Sequence, residues 1–214
     1  MLAWALAAVA AAPSIGAAVV AVPASDLDDA RRVLDAAGLG DFPVSFVAGG
    51  ASRSATVAAA LDAADAERVI VHDAARILTP PELFERVLAA LDDDPEAGGA
   101  IAAAPVTDTI KATAEPRSVS HRGGRACRDS VAIVTETLDR ERLWAVQTPQ
   151  AFPTAILRQA LDVGAADLAA AGDDALLVER LGRRVLLVES SPSNLKLTTP
   201  ADLEIVTALL ASRA

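Results

Sequence analysis

Arg68-Val69-Ile70-Val71-His72-Asp73-Ala74-Ala75-Arg76, with Thr79-Pro80-Pro81 close behind it, is the stretch whose reading decides the fold. Three β-branched apolar residues in a row, bounded by charge before and a polar turn after, read as a short strand buried on both faces. Proline at the first helical position fixes φ where no amide partner is needed, so a helix is predicted from Pro81 to about residue 91. Strand, polar loop and helix in that order form half of a βαβ unit.

The same rhythm extends in both directions. Upstream, Ala17-Ala18-Val19-Val20-Ala21-Val22 reads as a buried strand, Ser25-Asp26 as the cap of a helix to about residue 37, and Val44-Ser45-Phe46-Val47 as a second strand before a helix over 52–64. Downstream, a strand is predicted over 99–106, helices over 153–163 and 173–181, a strand over 184–188 and a closing helix over 199–212. Strands alternating with helices imply an α/β domain with a mostly parallel sheet covered by helices on both faces. With 214 residues, 52% of them hydrophobic, the chain is long enough for one such domain over 1–214. Between 111 and 142 the rhythm breaks around His121-Arg122-Gly123-Gly124-Arg125, and so long an irregular stretch is expected to be a functional arm.

Composition narrows the function. A formal net charge of -10 without a Lys/Arg run disfavours nucleic acid as a partner, while leaving small anions open to a few placed cations. Cys127 is the only cysteine, which leaves no disulfide framework and fits a reducing, cytoplasmic setting. Residues 1–12 are apolar but lack a basic n-region and run into the first strand, so they are expected to be an interior-facing helix and neither a signal peptide nor a membrane span. No Ser, Thr, Asp or Asn precedes that helix to cap it, so its beginning is expected to lie upstream of Met1.

In a sheet of this type ligands sit beyond the carboxyl ends of the strands. There, Asp73 could bind a divalent metal or ribose and Arg76 could clamp phosphate; the plainer alternative is a turn aspartate paired with a nearby arginine. His72 is expected to be packed or hydrogen-bonded. Gly49-Gly50 followed by Ser52-Arg53-Ser54 and Thr56 could offer bare amides and hydroxyls to a nucleotide, or be only a tight strand-to-helix turn with an ordinary cap. Only two of the 19 basic residues are lysines, Lys111 and Lys196. In a chain that otherwise uses arginine, those positions suggest either a need for a compact ammonium or two surface lysines.

Read together, Gly49-Gly50-Ala51-Ser52-Arg53-Ser54-Ala55-Thr56-Val57, Val71-His72-Asp73-Ala74-Ala75-Arg76, Ala104-Pro105-Val106-Thr107-Asp108-Thr109-Ile110-Lys111, Gln147-Thr148-Pro149-Gln150-Ala151-Phe152, Gly172-Asp173-Asp174-Ala175 and Asn194-Leu195-Lys196 resemble, in order, the motifs of the 2-C-methyl-D-erythritol 4-phosphate cytidylyltransferase family. The resemblance covers nearly the whole chain, with 117–130 as extra length in the arm. It implies a Rossmann-like nucleotidyltransferase sheet, CTP and a polyol phosphate as substrates, magnesium or another divalent cation, and a homodimer exchanging the 111–142 arm, with no membrane partner. It further implies that Arg140 and Lys196 orient the polyol phosphate, that Arg76, Thr109 and Thr148 line its pocket, that Asp73 sits near metal and nucleotide, and that Gly49, Gly50, Arg53 and Thr56 lie beside the cytidine.

Three departures accompany it. Gly172 replaces a threonine usual before the acidic pair, and Ala51 replaces a polar residue after the glycine pair. The family also opens with a strand and an Ala-Ala-Gly-x-Gly loop followed by Arg and Pro-Lys, and the resemblance places this unit of roughly 30 residues before Met1. Weak CTP binding or poor solubility is the expectation for the chain as it stands. Two rival readings remain open: a cytidylyltransferase for ribitol 5-phosphate or another polyol phosphate, and an inactive dimerising relative.

Overall fold

The computed structural model describes residues 1–114, 117–118 and 130–211; Cys127 and the 121–125 stretch lie outside them. The chain divides into two compact units, Met1–Ala103 with Val146–Ala214, and Ala104–Ala145.

In the larger unit, α1 (Leu2–Ala10) leads to β1 (Ala18–Val22), α2 (Leu27–Ala36), β2 (Val44–Ala48), α3 (Arg53–Asp62), β3 (Arg68–Val71) and α4 (Pro81–Asp93). The long strand β4 (Ala97–Pro105) carries the chain into the second unit. That unit holds β5 (Lys111–Thr113), β6 (Arg117–Ser118), β7 (Ser130–Val131) and β8 (Val134–Thr137). The chain returns along β9 (Trp144–Pro153) and finishes with α5 (Thr154–Leu161), α6 (Ala165–Ala170), α7 (Asp174–Arg180), β10 (Arg184–Glu189) and α8 (Pro200–Ala211).

Two sheets form in the larger unit: β1 and β2 pair in parallel, and a second sheet runs β10-β4-β9-β3. β10 and β4 are parallel, whereas β3 and β9 are antiparallel. Helices cover both faces of the four-stranded sheet, as the period-2 alternation of its strands requires. Ile101 and Phe152 pack with Leu61, Leu157, Leu177 and Val178 from α3, α5 and α7. Their neighbours Ala100, Ala102 and Ala151 face the other way, against Leu83, Val87 and Leu91 of α4. The small residues of β4 let both layers approach closely: a Cβ on Gly99 would lie 2.6 Å from the Phe152 ring. A third cluster packs Leu6 of α1 and Leu34 of α2 against Val20 of β1.

Several sequence expectations are corrected. β9 carries no local strand signal, because Gln147, Thr148, Pro149 and Gln150 interrupt any apolar run; all four are nevertheless buried, with Gln147 and Thr148 hydrogen-bonded to Asn194 and the Gln150 side-chain nitrogen donating to the Gln147 carbonyl. The 52–64 helix runs from Arg53 to Asp62, with the Ser52 hydroxyl accepting from the Ala55 amide. Ser25-Asp26 does not cap α2 through a side chain: Ser25 donates to Asp26, and residues 24–26 form a 3-10 turn. α6 is likewise invisible to pattern reading, its six residues being alanine-rich, with Leu168 alone among them partly buried against the core.

Among its described residues the smaller unit contains two antiparallel pairs, β5 with β8 and β6 with β7, so the irregular-looking segment carries short β pairs. The β5–β8 pair lacks an apolar stripe: β8 is exposed throughout, and Lys111 donates to the Thr137 hydroxyl at 2.6 Å.

Candidate active site

Asp73 lies just past the carboxyl end of β3, where the strand gives way to a turn closed by the Arg76 amide on the Asp73 carbonyl at 2.9 Å. Its own amide donates to the Thr148 hydroxyl at 3.0 Å, tying the loop to β9. One carboxylate oxygen receives Lys196 at 2.8 Å and the other faces the Arg53 Nε at 3.5 Å. Burial alone would raise this carboxyl, but the Lys196 hydrogen bond and the charges of Arg53, Lys196 and Arg76 hold it below the ordinary carboxylate range. Asp73 is therefore an ionised hub between two cations, beyond a simple turn pair with Arg76.

Arg53, in the first turn of α3, bridges two acids, because its Nη1 also meets Asp174 at 2.7 Å. Burial works against this cation, but Asp174 and Asp73 hold it above its usual value. The preceding turn is tight. A Cβ on Gly50 would lie 2.7 Å from the Ala55 Cβ and 2.8 Å from its carbonyl carbon. The Thr56 hydroxyl accepts from the Gly50 amide at 3.0 Å and donates to the Ser52 carbonyl at 2.9 Å. Gly49, Gly50 and Thr56 thus shape the turn that carries Arg53 to Asp73, and the Ser52 cap with the internal Gly50–Thr56 hydrogen bond matches the ordinary-cap reading.

Arg76 is anchored by donating to the Asn194 carbonyl at 2.6 Å. Burial lowers its pKa, with Asp73 opposing and Arg53 reinforcing the shift; a guanidinium stays charged regardless. The loop that brings Lys196 is held by the Asn194 side chain, which is only 1% exposed. Its amide nitrogen donates to Gln147 Oε1 at 2.9 Å and to the Thr148 carbonyl at 3.0 Å, while its oxygen accepts from the Thr79 hydroxyl at 2.7 Å. His72 is packed as expected, edge-on to Phe84 with Nδ1 at 3.0 Å from the Thr148 hydroxyl. Burial pulls its pKa down to about 4, so it is neutral near pH 7.

The larger unit thereby gathers Gly49, Gly50, Arg53, Thr56, Asp73, Arg76, Thr148 and Lys196 into one cluster, built on the segments that follow β2, β3 and β10 and on the middle of β9. Arg140 and Thr109 belong to the other unit. There Arg140 opens a 3-10 turn capped by Asp139 and donates to the Thr107 carbonyl at 2.6 Å, while Thr109 is exposed. Sequence reasoning gives no role to Asn194 or Asp174, although both stand in quoted motifs. The available signal is a polar residue next to apolar ones, and only burial separates such a residue from a solvated turn.

Two cations meeting one ionised aspartate, with Arg76 anchored alongside, form a site that can neutralise phosphate groups once they displace the internal ion pairs. Comparison with known proteins agrees with that chemistry. The family model described as 2-C-methyl-D-erythritol 4-phosphate cytidylyltransferase matches residues 1–212. A protein of that name from Synechococcus sp. (strain CC9902) is 40% identical over 197 residues, covering 91% of this chain and 78% of that protein. Its namesake from Rhodococcus opacus (strain B4) is 43% identical over 193 residues, covering 90% of this chain and 74% of that protein. The crystal structure of the Thermus thermophilus protein of the same name superposes with a TM-score of 0.71 at 33% identity, covering 97% of this chain and 87% of that one. With the fold, the motif order and the family match in agreement, the chain belongs to the 2-C-methyl-D-erythritol 4-phosphate cytidylyltransferase family.

Proposed function

We propose that this chain transfers a cytidylyl group from CTP to 2-C-methyl-D-erythritol 4-phosphate in isoprenoid precursor synthesis. A phosphate oxygen of the polyol attacks the α-phosphorus of CTP, the bond from that phosphorus to the bridging oxygen breaks, and pyrophosphate leaves. Such a reaction needs little covalent help from the protein; it needs two polyanions held in line and their charge neutralised. The observation that carries the reading is the convergence of Lys196 and Arg53 on Asp73, with Arg76 anchored alongside.

In this reading Lys196 and Arg76 bind the polyol phosphate, the Thr148 hydroxyl fixes the Asp73 loop, and Gly49, Gly50, Arg53 and Thr56 hold the nucleotide side. Arg140 and Thr109 reach substrate from the arm, in a homodimer that uses residues 111–142. Support for an arm that meets a partner comes from Ile133 and Val134, 59% and 54% exposed on this unit.

Asp73 fits a magnesium ion by donor chemistry, being an ionised oxygen ligand, and magnesium commonly takes one or two carboxylates with the rest of its shell from water and phosphates. Asp73 would hold it, and the ion when bound supplies Lewis-acid neutralisation of phosphate oxygens. No helix among the described residues is long and apolar enough to cross a membrane; we place the enzyme in the cytoplasm, where its single cysteine needs no partner.

The test is pyrophosphate release from CTP and magnesium with either 2-C-methyl-D-erythritol 4-phosphate or ribitol 5-phosphate as acceptor. Release with the first acceptor and little with the second is expected. Turnover with ribitol 5-phosphate alone would reassign the substrate, and a chain that dimerises yet turns over neither would be the inactive relative.

A further inference from the structure

Asp174 is the most deeply buried charge in the larger unit's polar cluster. Its side chain is 0% exposed, one oxygen meets Arg53 at 2.7 Å, and the other oxygen finds no hydrogen-bond partner. Burial, which outweighs the attraction of Arg53, raises its pKa. An acid so placed is costly to keep, because a carboxylate taken out of water loses hydration that one ion pair need not restore. A well-packed apolar residue could join α7 to α3 at lower cost, as Leu177 and Leu61 already do in the same cluster.

The geometry of Arg53 gives the acid a purpose. A guanidinium carries its N–H donors in a rigid planar fork, so engaging two different edges fixes its orientation. Here Nη1 is taken by Asp174 and Nε faces Asp73 at the longer distance of 3.5 Å. Without the buried anion, Arg53 would have Asp73 as its remaining partner and would close onto the carboxylate that Lys196 also occupies at 2.8 Å. One carboxylate would then be shared by two cations, and neither would be left in place for phosphate.

We propose that Asp174 is a positioning residue that acts through Arg53: it holds the guanidinium in the orientation a nucleotide meets and keeps it from collapsing onto Asp73. The role rests on the cytidylyltransferase reading above, since it needs a nucleotide beside Arg53. The competing account is a structural tie between α3 and α7, which would affect stability without any coupling to nucleotide binding.

The full chain and its variants are titrated with CTP and magnesium by calorimetry, alongside thermal melting. Asp174→Asn keeps the shape and removes the charge, and it is expected to weaken CTP by about tenfold, the scale of one charge-assisted hydrogen bond. Arg53→Gln is expected to weaken CTP at least as much, and Asp174→Asn added to it should cost nothing further, because the acid acts through the arginine. Arg53→Lys, a partly exposed substitution that keeps the charge but cannot span both acids, should resemble Asp174→Asn and stands in for it if that variant fails to fold. Asp174→Glu, with a carboxylate still facing Arg53, should recover part of the affinity. Unchanged CTP affinity in folded Asp174→Asn or in Arg53→Lys overturns the role, as does an equal loss from Asp174→Asn in the wild-type and Arg53→Gln backgrounds. An unmodified chain that binds no CTP overturns the nucleotide reading itself, and the positioning role with it.

Discussion

Lys196 stands on Asp73 because one compact ammonium can satisfy one carboxylate oxygen without the second contact a guanidinium would seek. Replacing it with methionine keeps the apolar stem and removes the charge. The expected outcome is a rise in KM for the polyol phosphate of roughly 100-fold, about 3 kcal/mol for a lost charged contact, with KM for CTP nearly unchanged. Steady-state kinetics with each substrate varied in turn measures the split, and an equal rise in both would place Lys196 outside the acceptor site. Gly50 is constrained at the same scale by space alone, since any Cβ meets Ala55 at 2.7 Å and the obstacle includes backbone. Gly50→Ala should cost about 1–3 kcal/mol as the turn shifts to relieve the overlap, read as a lower urea midpoint with an unchanged m-value.

Elements built from local signals follow the sequence closely. β3 spans Arg68–Val71, as its β-branched run predicts, and α4 opens on Pro81, as the proline pair predicts. α3 begins behind Ser52, whose hydroxyl accepts from the Ala55 amide at 3.2 Å. Ser52→Ala should therefore lower stability by about 1 kcal/mol, measurable by urea denaturation, and should loosen the first turn that carries Arg53. A stability loss with no change in CTP affinity would show that the cap serves the helix alone. β9 marks where local signals end: its central residues Gln147 to Gln150 are polar or helix-breaking by type, and they lie in a strand because pairing with β3 and the Asn194 side chain hold them there.

At the scale of the whole molecule, stability is linked to pH through groups that the fold removes from water. His72 titrates near 4 in the folded chain, below its ordinary 6.5, so the native state favours the neutral ring. Its contribution is fully present above pH 6.5 and is lost as pH falls towards 4. Asp73, also depressed, adds stability above the ordinary carboxylate range and loses it at still lower pH, whereas raised Asp174 runs the opposite way. Melting temperature should consequently fall between pH 6.5 and 4, and His72→Gln should flatten that limb. A His72→Gln profile parallel to wild type would show that the histidine titrates alike in both states.

Read alone, the sequence determined the alternation of strands and helices, the turn chemistry at Gly49-Gly50 and Pro80-Pro81, and the order of motifs that marks the family. These features depend on residues close together along the chain, where periodicity and backbone preference act. Tertiary structure alone decided that β9 runs antiparallel to β3, that Asn194 is a buried clasp, and that Arg53, beside Asp73, reaches Asp174 across 121 positions of sequence. Whether a polar side chain is solvated or serves as an internal partner depends on which distant segments exclude water around it, and no short stretch of sequence carries that information.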